Sequence, residues 1–196
     1  TGAWVREDQP FNPSTPYAVS RAASDMSLKT YFERYGFPVV STRAANVYGP
    51  GQQLYRIVPR TVLAGMGGEK LKLDGGGKSE RVFIHMTDVA EATLRIAQQG
   101  TLGATYHISG TELVTIRTLV GKVLAQLGRK LEDCTEIGPE RPGKDTAYKL
   151  DSSKLQAELG WRDRIGLDEG IADTIAWARR FEKDLARLPL RYEHKP

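Results

Sequence analysis

The sequence predicts an α/β fold built around a parallel sheet. Three observations predict it. Helical patterns alternate with short apolar stretches, the arrangement from which parallel sheets are built. The apolar stretches near residues 39–45, 81–86 and 105–109 hold valine, isoleucine, threonine and aromatic residues and are too short for helices. Several helical patterns open at a threonine, aspartate or proline and close on glycine.

The elements follow in order. Residues 7–16 carry Asp, Asn, Ser, Thr and prolines, which is turn chemistry. Thr15 is placed to cap a helix from Tyr17 to Tyr35, with Pro16 in its first turn and Gly36 as its stop. Ala18, Ala22, Leu28 and Phe32 are its expected buried face. Val39 to Ala45 reads as a buried strand, and Asn46 to Gly51 as the turn after it. A short helix is expected from Ile57 to Leu63, stopping at Gly65. Leu71 to Leu73 is strand-like, Gly75-Gly76-Gly77-Lys78 is a turn, and Arg81 to Met86 is the next strand. Asp88 and Glu91 have capping-box spacing ahead of a helix with Val89, Ala92 and Ile96 inward and Gly100 at its end. Thr105 to Ser109 is a further strand. Thr115 caps the most regular helix, in which Ile116, Leu119, Val120, Val123, Leu124 and Leu127 share a face and Gly128 is the stop. Arg141 to Asp145 is a polar loop, Ser153 to Leu159 a short helix, and Leu167 to Leu185 the last helix, with Ile171, Ile175, Ala178 and Phe181 inward.

Composition bounds the function. The chain has 196 residues, 40% hydrophobic and 27% charged, which is ordinary for a globular protein. A net charge of +4 leaves an anionic small molecule or nucleic acid open. No block of like charges or basic stripe interleaved with aromatics supports nucleic acid. One cysteine, Cys134, excludes an internal disulfide and a cysteine metal cluster, and no His, Cys and carboxylate spacing suggests a metal. No apolar run reaches membrane-spanning length, and a cytoplasmic location is expected. The chain opens on Thr1 with neither an initiator methionine nor a signal-peptide pattern, and reads as the interior of a longer protein.

The chemistry starts at Tyr17 and Arg21. On a helix they lie on one face, one turn apart. A fixed cation beside a phenol favours the phenolate and suits the tyrosine to proton transfer. Asn46 follows a buried strand, where a side-chain amide can reach a ligand in the crevice. Arg56, Arg81 and Arg141 offer planar, permanent charge suited to a pyrophosphate. Gly75-Gly76-Gly77-Lys78 lacks the spacing and following helix of a phosphate loop.

Six motifs in order then carry a family resemblance: Pro16-Tyr17-Ala18-Val19-Ser20-Arg21; Arg43 through Pro50; Gly75 through Ala90; Tyr106-His107-Ile108-Ser109-Gly110; Arg141-Pro142-Gly143-Lys144-Asp145; and Leu159-Gly160-Trp161. The chain resembles the extended short-chain dehydrogenase/reductases, and within them the NAD-dependent nucleotide-sugar epimerases and 4,6-dehydratases. The resemblance implies part of a Rossmann-like parallel sheet plus a smaller C-terminal α/β substrate domain. Residues 1–50 would end the dinucleotide-binding domain and carry the catalytic helix. Residues 51–186 would be mainly the sugar-nucleotide domain, with segments returning to the sheet, and 187–196 a tail.

The resemblance also implies roles. Tyr17 is the catalytic acid/base, and Arg21 stands where the family has lysine. Arginine keeps the charge but directs its hydrogen bonds differently. Tyr17, Arg21, Ala44, Asn46 and Val47 would meet NAD. Asn46, Arg56, Ile57, Lys72, Leu73, Arg81, His107, Arg141 and Asp145 would meet a nucleotide-diphosphate sugar. A homodimer is implied, with neither nucleic acid nor membrane as partner. The glycine-rich cofactor fingerprint, the Ser/Thr partner of the tyrosine and the acidic pair that eliminates water lie upstream of Thr1 in the family. A 4,6-dehydratase is the favoured activity; a 4-epimerase and a non-catalytic sugar-nucleotide-binding protein are the alternatives.

Overall fold

The computed structural model of the chain describes residues 3–140 and 147–190. It contains helix α1 (Pro16–Tyr35), strands β1 (Ser41–Ala44) and β2 (Asn46–Tyr48), α2 (Ile57–Gly67), β3 (Leu71–Asp74) and β4 (Glu80–His85). These are followed by α3 (Met86–Gln99), β5 (Thr105–Ile108), β6 (Leu113–Thr115), α4 (Ile116–Gln126), α5 (Leu131–Cys134) and β7 (Thr135–Gly138). The chain continues through β8 (Ala147–Tyr148), α6 (Ser153–Leu159), α7 (Leu167–Arg180) and α8 (Glu182–Leu185).

The α/β expectation holds, and three of the strand pairings that define it are parallel: β1 with β5, β2 with β4, and β3 with β7. β4 also pairs antiparallel with β6 and parallel with β8. The segment from Ser41 to Tyr48 changes partner at Ala45. Its first half follows β5, the Ala45 N–H donates to the Ile108 carbonyl, and its second half follows β4. Asn46 to Tyr48 is therefore strand rather than the expected turn. Its backbone groups are held by Phe83 to His85, and the turn moves on to residues 49–51.

Local signals set the helix ends. The Thr15 hydroxyl accepts from the Ala18 N–H at 3.1 Å, and Gly36 closes α1 in the left-handed region at φ 64°. Thr115 caps α4 in the same way through the Thr118 N–H. α3 departs from expectation. It starts at Met86, with His85 as its cap, and the Asp88 carboxylate instead accepts from the N–H groups of Arg164 and Ile165. Asp88 thus fastens the 161–166 loop to the first turn of α3. α7 also departs, breaking at Phe181, which is 39% exposed while Leu185 beyond it is buried. The break turns Leu185 back onto the core shared by α2, α4 and α7.

Among the described residues, three apolar bodies position the site. One packs Val82, Ile84, Tyr106, Ile108, Ala92, Ile96, Leu155 and Trp161 between strands and the helices α3 and α6. The second packs Val58, Val62, Leu119, Val123, Ile171 and Ile175 among α2, α4 and α7. The third packs Leu71 and Leu73 of β3 against Ala64, Val120, Leu124 and Cys134. Tyr48 reaches the second body, and Gly170 allows this because a Cβ there would collide with the Tyr48 hydroxyl. That hydroxyl donates to the Leu167 carbonyl at 3.3 Å.

α1 differs from its expected burial. Of the four residues assigned to its buried face only Ala22 is buried, and Leu28 is 36% exposed. Among the described residues α1 is held along one line, by Asp25 against Arg43 and by Phe32 close to Gly103.

Candidate functional site

A cleft of about 1160 Å³ lies beside β2, the start of α2, β3 and β4. The local chain explains each wall. β2 ends in a Gly-Pro-Gly turn that sends residues 52–56 across the strand ends. Arg56 is the residue before α2, with Ile57 the first residue inside it. The alternation of β3 buries Leu71 and Leu73 and exposes Lys72. β4 contributes Arg81 and Phe83 from one face, two residues apart.

The cleft brings together Asn46, Val47, Arg56, Ile57, Lys72, Leu73 and Arg81. All seven are expected site residues from separate parts of the sequence, and the pairing of β2 with β4 joins Asn46 and Val47 to the strand that carries Arg81. Among the described residues the cleft's cationic groups are Arg56, Arg60, Lys72 and Arg81, against one carboxylate, Asp74. Arg56 also stands at the N-terminus of an 11-residue helix, where free N–H groups favour an anion. Its guanidinium lies 5.5 Å from the Tyr55 ring centre. One Arg81 Nη donates to the Glu80 carbonyl at 2.7 Å. Asn46 donates through Nδ2 to the Val82 carbonyl at 3.0 Å. Chemically the arrangement suits a polyanion flanked by polar groups.

Gln52, Tyr55, Arg60 and Ser79 line the cleft and were not among the expected site residues. The signal for Gln52 was its place just after the glycine turn. Ser79 gave none, because only the pairing of β4 brings it to this wall.

Other expected residues stand elsewhere. Tyr17 is 75% exposed in the first turn of α1, and Arg21 is exposed one turn later. Ala44 ends β1 just before the cleft, whose wall begins at Ala45. His107 is buried and committed elsewhere. Its Nδ1 lies 3.1 Å from the Val5 carbonyl, and its Nε2 lies 3.5 Å from an Arg43 Nη. Its backbone N–H donates to Glu7 at 2.8 Å. Burial pushes the His107 pKa below its ordinary value; Glu7 opposes that shift and Arg43 adds to it. Arg141 and Asp145 lie outside the described residues. Among the described residues no group of three His, Cys, Asp or Glu side chains is placed to hold a metal ion.

Arg43 ties this second region together. It pairs with Asp25 of α1 at 2.7 Å and lies 4.6 Å from the centre of the Phe11 ring. The segment leading to Tyr17 is thereby pinned to β1. Tyr48 has its pKa raised, by burial first and then by Asp88, Glu112 and further carboxylates. Its hydroxyl stays protonated and joins β2 to α7.

Parallel strands with a cationic crevice beside them define an α/β protein of the anion-binding kind. The chain belongs to the GDP-mannose 4,6 dehydratase family, whose model matches residues 2–174. It is 36% identical over 179 residues to the dTDP-D-glucose 4,6-dehydratase of Homo sapiens, covering 88% of this chain and 51% of that protein. The chain thus spans about half the length of the curated relatives it matches. Its fold is similar to the crystal structure of DesIV, a dTDP-glucose 4,6-dehydratase from Streptomyces venezuelae solved with NAD bound. The TM-score is 0.89 at 33% identity over 93% of this chain and 56% of that one. It is also similar to MoeE5 in complex with UDP-glucose and NAD, with a TM-score of 0.84 at 30% identity over 92% and 60% of the two chains. The Rossmann-like α/β class is therefore shown by fold and by relatives alike.

Proposed function

We propose that the chain is the sugar-nucleotide half of an NAD-dependent nucleotide-sugar 4,6-dehydratase. The observation that carries the reading is the cationic cleft, which gathers Asn46, Arg56, Ile57, Lys72, Leu73 and Arg81 from separate elements. Permanent charge and helix N–H groups suit the diphosphate, and the apolar Ile57 and Leu73 suit the nucleoside. Arg141 and Asp145 join this set by resemblance. His107 is left out, because its ring is held by Val5 and Arg43. The proposed division keeps residues 1–50 with the cofactor domain, assigns 51–186 mainly to the substrate domain, and leaves 187–196 as a tail.

The residues present fit the nicotinamide end of NAD. Tyr17 and Arg21 stand exposed one turn apart, and Ala44, Asn46 and Val47 follow at or beside parallel strand ends. NAD, when bound, supplies reversible two-electron chemistry at the sugar's C4. Tyr17 takes the C4 hydroxyl proton as that carbon becomes a ketone, and Arg21 holds positive charge beside the phenol. The ketone acidifies the C5 hydrogen, and that proton is lost together with the C6 hydroxyl as water. Return of the two electrons as hydride to C6 and of a proton to C5 would give the 4-keto-6-deoxy sugar and leave the cofactor oxidised. The homodimer belongs to the same proposal, supported by the exposed Met26, Tyr31, Tyr35 and Phe37 of the α1 region. So does a cytoplasmic site of action; among the described residues no helix is long and apolar enough to cross a membrane.

The full-length protein, incubated with dTDP-glucose and with UDP-glucose, is expected to form a 4-keto-6-deoxy sugar. A 4-epimer without keto sugar would replace the dehydratase by an epimerase. Nucleotide-sugar binding without turnover, with activity gained by Arg21→Lys, would favour the binding protein.

A further inference from the structure

Two of the side-chain amides that line the cleft are tethered by nitrogen. Asn46 Nδ2 donates to the Val82 carbonyl, and Gln52 Nε2 donates to the Val47 carbonyl at 2.6 Å. An amide's two ends differ, since its nitrogen donates and its oxygen accepts. A backbone carbonyl can only accept, so the tether fixes which end of Gln52 remains. Gln52 Oε1 is shielded from water and has no hydrogen-bond partner among the described residues. Shielded acceptors in folded proteins are nearly always satisfied, so this oxygen calls for a donor. Phosphate oxygens are acceptors and cannot supply it. A hydroxyl can.

Register places this acceptor relative to the cations. Asn46 pairs with Phe83 and Val47 with Ile84, so Gln52 is clamped level with Ile84. That is three residues beyond Arg81 along β4, roughly 10 Å at strand rise. A diphosphate held at Arg81 puts its nucleoside on one side and its hexose on the other. The carboxyl ends of β1 and β2, beside the proposed cofactor contacts Ala44, Asn46 and Val47, lie on the Gln52 side. A carbon that is oxidised must lie on that side. Gly51 and Gln53 on either side of Gln52 are exposed, so the loop can yield by the small displacement a hydroxyl needs.

We propose that Gln52 is a sugar-specificity residue, its amide oxygen accepting a hydrogen bond from a hexose hydroxyl of the nucleotide-diphosphate sugar while Arg56, Lys72 and Arg81 carry the diphosphate. The assignment rests on the nucleotide-sugar reading of the cleft and adds to it a residue for the hexose alone.

Titration calorimetry on the full-length protein separates the two. The probes are dTDP against dTDP-glucose, and UDP against UDP-glucose. In Gln52→Ala, Kd for the sugar nucleotide is expected to rise about tenfold, while Kd for the diphosphate without sugar stays within about twofold. Gln52→Met keeps the side-chain length without donor or acceptor and is expected to behave alike, with an unfolding midpoint near that of the wild type. Arg81→Ala is expected to weaken both members of a pair. Equal weakening of both by Gln52→Ala, or no weakening in either Gln52 variant, overturns the assignment. A wild-type protein that binds none of the four probes overturns the nucleotide-sugar reading itself, and the assignment with it.

Discussion

The α1 region and the cleft region meet at β1 and β2 yet are held in different ways. The cleft rests on residues such as Val58, Leu73, Leu119 and Ile171, all nearly sealed from solvent and packed from several helices and strands at once. α1 buries only Ala22, and it meets the rest of the fold through the Asp25–Arg43 pair to β1 and the Phe32 ring beside Gly103 in the turn before β5. The proposed proton-transfer residue therefore stands on the loosely held element, and the proposed binding residues on the tightly held one. On this proposal, binding and chemistry depend on different physics. The cleft needs volume and packing; Tyr17 needs its helix start and its link to β1.

Separate perturbations should then separate the two functions. The largest effect is expected for Tyr17→Phe, which should lower kcat of the full-length protein by about 10²–10⁴-fold. Nucleotide-sugar binding and thermal stability should hardly change, because the side chain is 75% exposed. Loss of binding in this variant would break the division between regions. Next comes Ile171→Ala on the cleft side. Ile171 is fully buried among α2, α4 and α7, and the cavity should cost about 2–5 kcal/mol by denaturant unfolding. A cost under about 1 kcal/mol would mean that the packing beneath the cleft is loose.

Thr15→Ala should be milder. It removes the hydroxyl that accepts from the Ala18 N–H, worth about 0.5–2 kcal/mol locally, and frees the first turn that carries Tyr17. Faster amide exchange at residues 16–20, with kcat lowered more than KM is raised, is the expected readout.

The smallest effect is a pH dependence centred on His107. Burial holds its folded pKa below the ordinary value of about 6.5, so folding favours the neutral ring. Its contribution to stability is complete above that value. It is lost as pH falls through about 6.5 towards the folded pKa, because the unfolded chain takes up the proton first. Protonation would also set a second positive charge against Arg43, 3.5 Å away. The melting temperature should drop on that acid limb and drop less in His107→Asn. An unchanged limb would remove His107 from the account.

Much of this was legible in the residues. The cap at Thr15, the stop at Gly36 and the cap at Thr115 depend on neighbours a few positions away, so they could be read directly. The face Leu119, Val120, Val123 and Leu124 was legible from its spacing and is buried as a unit. Short strands were not. β6, β7 and β8 span two to four residues each, and nothing local marks them; they exist because β4 and β3 offer backbone partners. Asn46 to Tyr48 was misread for the same reason. Its turn-forming composition was outweighed by hydrogen bonding to Phe83 through His85. Asp88 had the spacing of a capping box, and only the return of residues 164 and 165 showed what its carboxylate satisfies.

The candidate site divides similarly. The sequence by itself determined its chemical inventory: a phenol and a guanidinium one turn apart, an asparagine after a strand, and arginines in polar stretches. Those follow from residue type and helical period, which are local. Tertiary structure decided which of these groups share a space. Parallel pairing of β2 with β4 set Asn46 opposite Phe83, two residues from Arg81 along the same strand, and packing of α2 brought Arg56 to the same wall. It also drew His107 out of the expected ligand set and tied it to Val5 and Arg43, and it showed Gln52 with one end bound and the other bare. Hydrogen-bond pairing between distant segments has no local signature, and which end of an amide stays free is settled only once the fold supplies its partner.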